Sequence, residues 1–426
     1  MIIILRSKGK SIQYLFIGLL IAYSAMMFIL FYRQCIAYQG LYLSDMEAYL
    51  LEAQGLESGY DFPYPVMFLV ARFFMLLLNA EVAMAFAITV LNAACVFLVK
   101  GYFTSYCKSA VLKAQGVWSN RYEFIVILFT FTLFFVSMVY APRGYGFFGF
   151  DYYYRCSGSY TPNPFWNATF LAVRPFTVLS FFMGVRLLDS YEQGMHRTEA
   201  ILFSVFLLLA TMTKPSYTIV VMLAIFVVMV YRFIKAKGKN FKKSIYFGAT
   251  FFPTIAALLY QYAGVFSGTN SMGEETGIGI GFAQAWSIYS MNIPLSVFMG
   301  LAFPLGVLVI NFNKLKTTTW YRHAWQVMLA AFLMLLFLYE KGFRFSHMNF
   351  SWGYMHGMFF VFMVSVLMLF QNTLEAFKKL ETGQQSIKIY AYRMIIACGW
   401  LGYIWHLVSG IIYFIYIYQG NNSGFF

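Results

Sequence analysis

Charged side chains are scarce in this sequence. Asp, Glu, Lys and Arg make up only 11% of the 426 residues, whereas hydrophobic residues make up 61%. Globular domains are about one quarter charged, so this shortage excludes a water-soluble fold. Apolar runs of about 18 residues or more recur along the chain, and about 20 residues cross the hydrocarbon core of a bilayer as a helix. The sequence therefore predicts an all-α, polytopic transmembrane helical bundle.

Cysteine is also sparse, and its spacing excludes two kinds of site. The five cysteines lie far apart, and none forms a Cys-x-x-Cys pair. The odd number and the spacing argue against both a disulfide framework and a zinc site. The net charge of +14 would suit nucleic acid if the cations formed one patch, but they are spread over many short segments. We interpret them as topology signals and expect membrane lipids, not nucleic acid, as partners.

The positive-inside rule orders the apolar runs into about eleven predicted spans, with ten to twelve as the range. Cations within residues 6–10 precede the first run, and no small-residue cleavage pattern follows it, which predicts an uncleaved anchor and a cytoplasmic N-terminus. Residues 63–79 are predicted to form a re-entrant or interfacial helix, because a second full span there would place Lys100 and Lys108 outside. The spans lie near residues 12–33, 81–103, 123–141, 168–188, 199–213, 215–232, 244–263, 294–312, 324–339, 352–371 and 394–418.

This topology predicts one transmembrane domain over residues 1–426, without a separate soluble domain. The predicted outer loops are 34–80, which contains the re-entrant helix, 142–170, 264–293 and 340–352. The centres of the spans carry almost no charge, which argues against a channel or a proton relay. Polar residues of functional interest therefore collect in the outer loops.

The first outer loop carries a candidate general base. Asp45 and Glu47 stand two residues apart in Ser44-Asp45-Met46-Glu47. At that spacing they point to different faces of a helix, so we expect one acid to act and not a helical pair. A carboxylate at the membrane boundary can take a proton from an acceptor hydroxyl or amine. The alternative is a solvated loop acid or a helix cap.

Cations and hydrogen-bonding groups in the other outer segments are candidate substrate ligands. Arginine binds phosphate bidentately and lysine binds it as a point charge, although each can equally anchor the chain at the interface. The run from Glu340 to Tyr354 mixes Glu, Arg, His and Asn with aromatic residues, a composition that favours sugar recognition. The candidate substrate-binding residues are Arg143, Arg155, Arg174, Lys214, Glu340, Arg344, His347 and Asn349.

Two further segments are weaker signals. The glycine-rich, acidic run 267–281 is a candidate cover for such a site, or simply an outer loop. Asn167-Ala168-Thr169 matches the glycosylation sequon, a pattern that arises often by chance, so no function is assigned to it.

The order of these features resembles the C-type glycosyltransferase (GT-C) superfamily, polytopic enzymes that take sugars from polyprenyl-phosphate carriers. The resemblance is clearest over roughly residues 12–105, where the Ser44–Glu47 motif is followed by Tyr64-Pro65-Val66-Met67-Phe68 at the start of the re-entrant helix. The segments 163–169 and 347–353 are also similar to bacterial membrane proteins of that kind.

The resemblance implies a membrane glycosyltransferase in a bacterial plasma (inner) membrane, with its active site facing outward. Asp45 would be the catalytic carboxylate, with Glu47 as the second choice, and the outer arginines and Lys214 would hold the donor phosphate. The partners would be a polyprenyl-phosphate sugar donor and a glycan, lipid or protein acceptor. No cofactor is predicted with certainty, because arginine alone or a divalent metal ion can stabilise the departing phosphate. Many relatives carry a soluble C-terminal domain, which we do not expect here, so the acceptor is left open.

Two other functions fit parts of the pattern. A flippase or transporter of lipid-linked saccharide shares the many spans but needs polar residues along a path through the bilayer, and the apolar span centres argue against it. A polysaccharide polymerase or ligase shares the outer arginines but usually concentrates function in one large outer loop, whereas here the polar segments are divided among several.

Overall fold

Helices account for nearly all of the regular secondary structure in the computed structural model, which describes residues 10–37, 40–60, 62–139, 156–266, 277–381 and 387–421. The helices are α1 (Lys10–Ile36), α2 (Met46–Gln54), α3 (Val66–Met75), α4 (Ala80–Gln115), α5 (Asn120–Leu133), α6 (Cys156–Ser159), α7 (Ala168–Ser190), α8 (Arg197–Thr211), α9 (Ser216–Lys235), α10 (Phe241–Ala249), α11 (Phe252–Phe266), α12 (Trp286–Tyr289), α13 (Ile293–Ile310), α14 (Thr319–Phe337), α15 (Phe350–Glu381) and α16 (Ile387–Tyr418). Short 3-10 turns cover Phe312–Lys316 and Gly342–His347.

Seven helical segments among the described residues are long and apolar enough to cross a membrane. They are Ser11–Ile36, Ala80–Gln115, Ala168–Ser190, Ser216–Lys235, Ile293–Ile310, Gly342–Leu380 and Ile387–Tyr418. Each coincides with one predicted span, so the prediction of an all-α bundle is confirmed, and the seven segments indicate a membrane protein.

The other four predicted spans fall on helices that are shorter or that begin with a polar turn. Helices α5, α8 and α11 have 14 or 15 residues, and α14 has 19 but opens with a polar first turn. Fifteen residues rise about 22 Å as a helix, less than the hydrocarbon core of about 30 Å. A count above seven therefore stays a prediction.

The predicted re-entrant segment contains α3, which has only ten residues and is too short to span. Its start is tied to the end of α8, since the Val66 N–H donates to the Met212 carbonyl at 3.0 Å. Farther along α3, Arg72 donates to the carbonyls of Ala53 and Glu52 at 2.9 and 2.8 Å. These bonds provide partners for carbonyl groups in the last turn of α2. These bonds fix α2 and α3 against the turn that follows α8.

Helix α15 is the central element, and the apolar window within it is entirely buried by protein. Phe359, Phe360 and Phe362 on α15 are all completely buried. Helices α4, α9, α13, α14 and α16 pack around it. The hydrophobic core therefore surrounds a helix that has little lipid contact of its own.

A two-stranded antiparallel sheet connects two of the predicted outer loops. Strand β1 (Ile278–Ile280) pairs with β2 (Leu338–Glu340), and Ile278 lies opposite Glu340. The Lys341 N–H also donates to the Gly277 carbonyl at 2.8 Å. The pairing holds Glu340 in place immediately before the Gly342–His347 turn.

An irregular segment after α5 is fixed by a histidine on α16. The His406 Nε2 accepts from the Phe303 N–H at 3.2 Å, so Nδ1 carries the proton and donates to the Ser137 carbonyl at 2.6 Å. The Val139 N–H bonds the Met299 carbonyl at 2.9 Å. This histidine therefore satisfies backbone groups of two neighbouring elements.

Gly410 on α16 is required for this packing. A Cβ at this position would lie 1.6 Å from the Phe135 carbonyl oxygen. We expect Gly410→Ala to destabilise the protein by about 1–3 kcal/mol, because backbone and not a flexible side chain would have to move. Thermal unfolding of the purified protein in detergent measures the change.

Gly101→Ala is the matched control. Gly101 also lies in a long helix, and a Cβ there meets nothing within 4 Å. Alanine is favoured over glycine inside a helix, so this variant should be neutral or slightly more stable. Equal melting temperatures for both variants would contradict the assigned contact.

Candidate active site

A polar cavity of about 340 Å³ lies where the loop after α1 meets the start of α7 and the loop before α15. Its charged lining residues are Asp45, Lys214 and Arg344, and His347 adds an imidazole. Its neutral polar lining includes Asn167 and Asn349 together with several tyrosines and tryptophans. Residues far apart in the sequence therefore meet in one pocket.

An apolar groove of about 500 Å³ adjoins the cavity. Helices α9 and α11 supply nine of its twenty lining residues, among them Ile219, Val220, Leu258 and Leu259. Five residues line both spaces, namely Tyr64, Lys214, Arg344, Asn349 and Trp352. The two spaces are therefore direct neighbours, and the two charged residues that they share, Lys214 and Arg344, are both cations.

Asp45 stands at the N-terminus of α2 with its side chain exposed to the cavity. Asn167 Nδ2 and the Tyr49 hydroxyl donate to its Oδ2 at 3.2 and 3.3 Å. Burial, reinforced by the Asp45 charge, raises the pKa of Tyr49 well above its ordinary value, so this hydroxyl stays protonated as a donor. Within the described ranges both bonds reach Oδ2, which leaves Oδ1 available to a substrate proton.

Asn167 is the N-cap of α7, and this role fixes the direction of its amide. The Oδ1 atom accepts the Phe170 N–H and the Thr169 hydroxyl, each at 3.0 Å. Because the oxygen is held at the helix terminus, the nitrogen must face Asp45. The start of the helix therefore orients a donor toward the carboxylate.

Lys214 occupies the turn between α8 and α9, where Pro215 begins the next helix. Its Nζ donates to Thr169 Oγ1 at 2.9 Å and to Asn167 Oδ1 at 3.3 Å. The ammonium also lies 4.2 Å from the centroid of the Trp352 ring, a favourable cation–π contact. Among the described residues, no carboxylate oxygen lies within 4 Å of it.

The surroundings of Lys214 disfavour its charge. The residue is only 8% exposed, and this burial lowers the pKa of Lys214 to about 7, while the Asp45 charge acts in the opposite direction. Burial without a direct ion-pair partner leaves the ammonium underpaired, so an anion entering the cavity would stabilise it.

The turn before α15 supplies the second cation. Arg344 is half-buried, and its Cζ lies 5.3 Å from the centroid of the Phe343 ring. Nearby, Asn349 Nδ2 donates to Glu340 Oε2 at 2.5 Å. Burial raises the pKa of Glu340, and the Asn349 bond and the Arg344 charge partly offset this. Met348, between these groups, has left-handed backbone with φ 52°, a conformation that bulky residues rarely adopt.

The structure divides the predicted site residues into three groups. Asp45, Lys214, Arg344, His347 and Asn349 line the cavity, and Glu340 lines the groove. Glu47 is exposed on α2 and lines neither space. Arg143 and Arg155 lie outside the described residues.

The surroundings of Arg174 indicate a structural role. It is completely buried within α7 and lines neither space. Its Nη2 donates to the Pro162 carbonyl at 2.6 Å and to Asn163 Oδ1 at 2.8 Å, and its guanidinium packs against the rings of Phe134, Phe170 and Phe359. We therefore do not assign it to a substrate phosphate.

Sequence reasoning missed the residues between the charges. Asn167, Thr169 and Tyr49 connect Asp45 to Lys214, yet the sequence analysis assigned no role in the site to Asn167 or Thr169. An Asn directly before a long apolar run is also a helix N-cap signal, and that pattern would have identified Asn167 as a fixed amide.

Comparison of the chain with models of known protein families, with curated proteins and with solved structures finds no match. Among the described residues, no group of three or more His, Cys, Asp and Glu side chains is placed to hold a metal ion. The interpretation of the site therefore depends on its own geometry.

The lowered pKa of Lys214 is directly measurable. Its value of about 7, below the ordinary 10.5, means that the amine becomes neutral as the pH rises through 7. We expect acetic anhydride, which reacts with the neutral amine, to label Lys214 with a midpoint near pH 7. Mass spectrometry of the labelled peptide quantifies the reaction, and the exposed Lys242 provides the reference.

Asp45→Asn tests the coupling between the two groups. The Asp45 charge raises the pKa of Lys214, so its removal should move the labelling midpoint to lower pH. Glu57→Gln, which neutralises an exposed acid that does not line the cavity, should leave the midpoint in place. An identical midpoint in all three proteins would refute the coupling.

Proposed function

We propose that this chain is a membrane glycosyltransferase that moves a sugar from a polyprenyl-phosphate-linked donor to an acceptor. The observation that supports the proposal is the junction between the polar cavity and the apolar groove, with Lys214 and Arg344 at the boundary. A lipid phosphate needs apolar surface for its chain and cations for its head group side by side. This junction provides both within reach of the Asp45 carboxylate.

The groove suits a prenyl chain. Its walls are mainly apolar, and burial of each CH₂ group in such surroundings contributes about 0.8 kcal/mol. Lys214 and Arg344, at its polar end, would bind the phosphate oxygens, the lysine as a point charge and the arginine bidentately. The attached sugar would then extend into the polar cavity, toward Asp45.

The proposed step is one displacement at the anomeric carbon. Asp45 takes the proton of the acceptor hydroxyl, and the acceptor oxygen forms the new bond to the anomeric carbon. The bond between that carbon and the phosphate oxygen breaks, and its electron pair leaves with the polyprenyl phosphate. Lys214 and Arg344 stabilise the negative charge that develops on the phosphate.

We further propose that the chain belongs to the GT-C superfamily, with about eleven spans, a cytoplasmic N-terminus and a cavity that faces outward from a bacterial plasma membrane. Support comes from α3, a ten-residue helix that is apolar except for Arg72 and adjoins both α2 and the Lys214 turn, as a re-entrant helix beside an outer site would.

Asp45→Asn tests the catalytic assignment. Loss of a general base costs about 10²–10⁴ in rate, so sugar transfer should fall by that factor. The fold should persist, because the amide can still accept from Asn167 and Tyr49. The measurement is release of free polyprenyl phosphate by purified protein incubated with a panel of polyprenyl-phosphate sugars.

Glu47→Gln and Glu57→Gln are the matched variants, since both acids belong to the same loop region and line neither space. Both variants should transfer sugar at the normal rate. Full activity of Asp45→Asn would remove the catalytic assignment. Movement of the intact donor across vesicles without cleavage of the sugar bond would instead favour a flippase.

Arg344→Ala tests the phosphate ligand. Loss of a charge-assisted bond of about 1.5–3 kcal/mol should raise the KM for the donor by about tenfold or more. The KM for the acceptor should change much less, because the arginine is proposed to bind the donor. Arg197→Ala, which removes an exposed arginine at the start of α8, is the control. An unchanged donor KM would show that the Gly342–His347 turn is scaffolding.

A further inference from the structure

Three aromatic rings form a row along one wall of the polar cavity. Tyr60, Phe62 and Tyr64 alternate along the chain, and all three line the cavity. Pro63 and Pro65 follow the last two. The Tyr64 N–H donates to the Phe62 carbonyl at 2.7 Å, which closes a tight turn at Pro63. The ring centroids of Tyr60 and Phe62 lie 6.0 Å apart, and those of Phe62 and Tyr64 lie 5.7 Å apart. The three rings are therefore in successive contact along this wall.

The charges of the cavity are distributed unevenly. Lys214 and Arg344 lie at the junction with the groove, where the donor phosphate is proposed to bind. Among the described residues that line the cavity away from that junction, the titratable groups other than tyrosine are the Asp45 carboxylate and the His347 imidazole. The same region carries serine hydroxyls and tyrosine and tryptophan rings. This part of the cavity is suited to a ligand rich in hydroxyl groups and without a phosphate of its own.

The aromatic row begins at the rim of the cavity. Tyr60 is 51% exposed, whereas Phe62 and Tyr64 are half-buried behind it. Phe62 also packs against Tyr49, the residue that donates to Asp45, with ring centroids 5.3 Å apart. The row therefore leads from solvent toward the proposed base.

We propose that the acceptor is a neutral glycan whose sugar rings stack on Tyr60, Phe62 and Tyr64 and whose attacking hydroxyl reaches Asp45. The inference rests on the proposed function and narrows its acceptor from a glycan, lipid or protein to an uncharged saccharide. Aromatic faces bind the apolar faces of sugar rings, and the polar groups around them satisfy hydroxyls. A phospholipid acceptor would need further cations on this side, and the described lining residues there do not supply them.

Saccharide binding can be measured without any donor. Trp166 and Trp352 line the cavity, so a bound sugar should change the tryptophan fluorescence. The probes are maltotetraose, chitotetraose and mannotetraose, titrated into purified protein in detergent. At least one should give saturable binding, and Tyr60→Ala should weaken that binding by about tenfold.

Two variants serve as controls for that loss. Tyr60→Phe keeps the ring and should bind within about twofold of the unaltered protein, because the inference assigns the stacking to the ring. Tyr246→Ala removes an exposed tyrosine of α10 that lines neither space and should bind normally. Tyr60 is exposed, so its variants should melt at the same temperature as the unaltered protein.

A transfer assay separates this inference from the proposed function. Tyr60→Ala should raise the KM for the saccharide acceptor and leave the donor KM unchanged. Transfer to phospholipid or peptide, with no saccharide binding, would overturn the inference while the glycosyltransferase assignment stands. Saccharide binding that is equal in Tyr60→Ala and the unaltered protein would also overturn it. Absence of cleavage of any donor in the panel would count against the proposed function itself.

Discussion

One side-chain amide separates the two opposite charges on which the proposed chemistry depends. Asn167 donates to Asp45 through Nδ2 and accepts from Lys214 through Oδ1. A direct ion pair between these groups would neutralise the cation and make the carboxylate a weaker base. Because the amide stands between them, Asp45 keeps an oxygen for a substrate proton and Lys214 keeps its affinity for an anion. The orientation of the amide comes from the N-cap of α7, so a helix terminus determines the electrostatics of the cavity.

Hydrogen bonds hold the turn that carries the buried lysine. The Lys214 N–H bonds the Ala210 carbonyl, and Gln261 on α11 donates to the carbonyls of both Pro63 and Thr211. The segment that contains Pro63, before α3, is therefore held together with the end of α8 and with α11 beside the cavity. The hydroxyl of Thr169 and the amide of Asn167 replace part of the hydration that the ammonium loses, but they carry no negative charge. The result is a preorganised but incompletely satisfied cation.

The sequence could predict that most of this chain lies in lipid, and it could also predict much of the site, but for different reasons. Hydropathy located all seven long apolar helices because composition alone decides whether a segment can lie in lipid. It could not tell lipid contact from burial in protein, so α15 looked like any other span although protein surrounds it. It also merged α10 and α11 into one span, since the break at Thr250 and Phe251 leaves hydropathy unchanged.

For the site, the positions of the charged residues in the sequence were informative. The sequence analysis did not predict the direction in which a residue on a helix points. Asp45, Lys214 and Arg344 are rare charges beside apolar runs, and they meet at one cavity. Arg174 has the same composition around it, but its position on α7 points it inward, to carbonyls and aromatic rings. The neutral residues that connect the charges carry no signal in composition, because their role depends on contacts between Asn167, Thr169 and distant parts of the chain.

The placement of the cations also explains how the energy of donor binding could lower the barrier to sugar transfer and not only hold the donor in the site. In the proposed reaction the donor is a phosphodiester with one negative charge, and the departing polyprenyl phosphate gains a second as the bond to the sugar breaks. An ammonium buried at 8% exposure interacts with that growing charge more strongly than a hydrated one would, since the surroundings screen it less. Lys214 would therefore bind the transition state more tightly than the ground state, which is the condition for catalysis. The underpaired state of Lys214 in the free protein serves this purpose, because a lysine already neutralised by a carboxylate could not contribute the same difference.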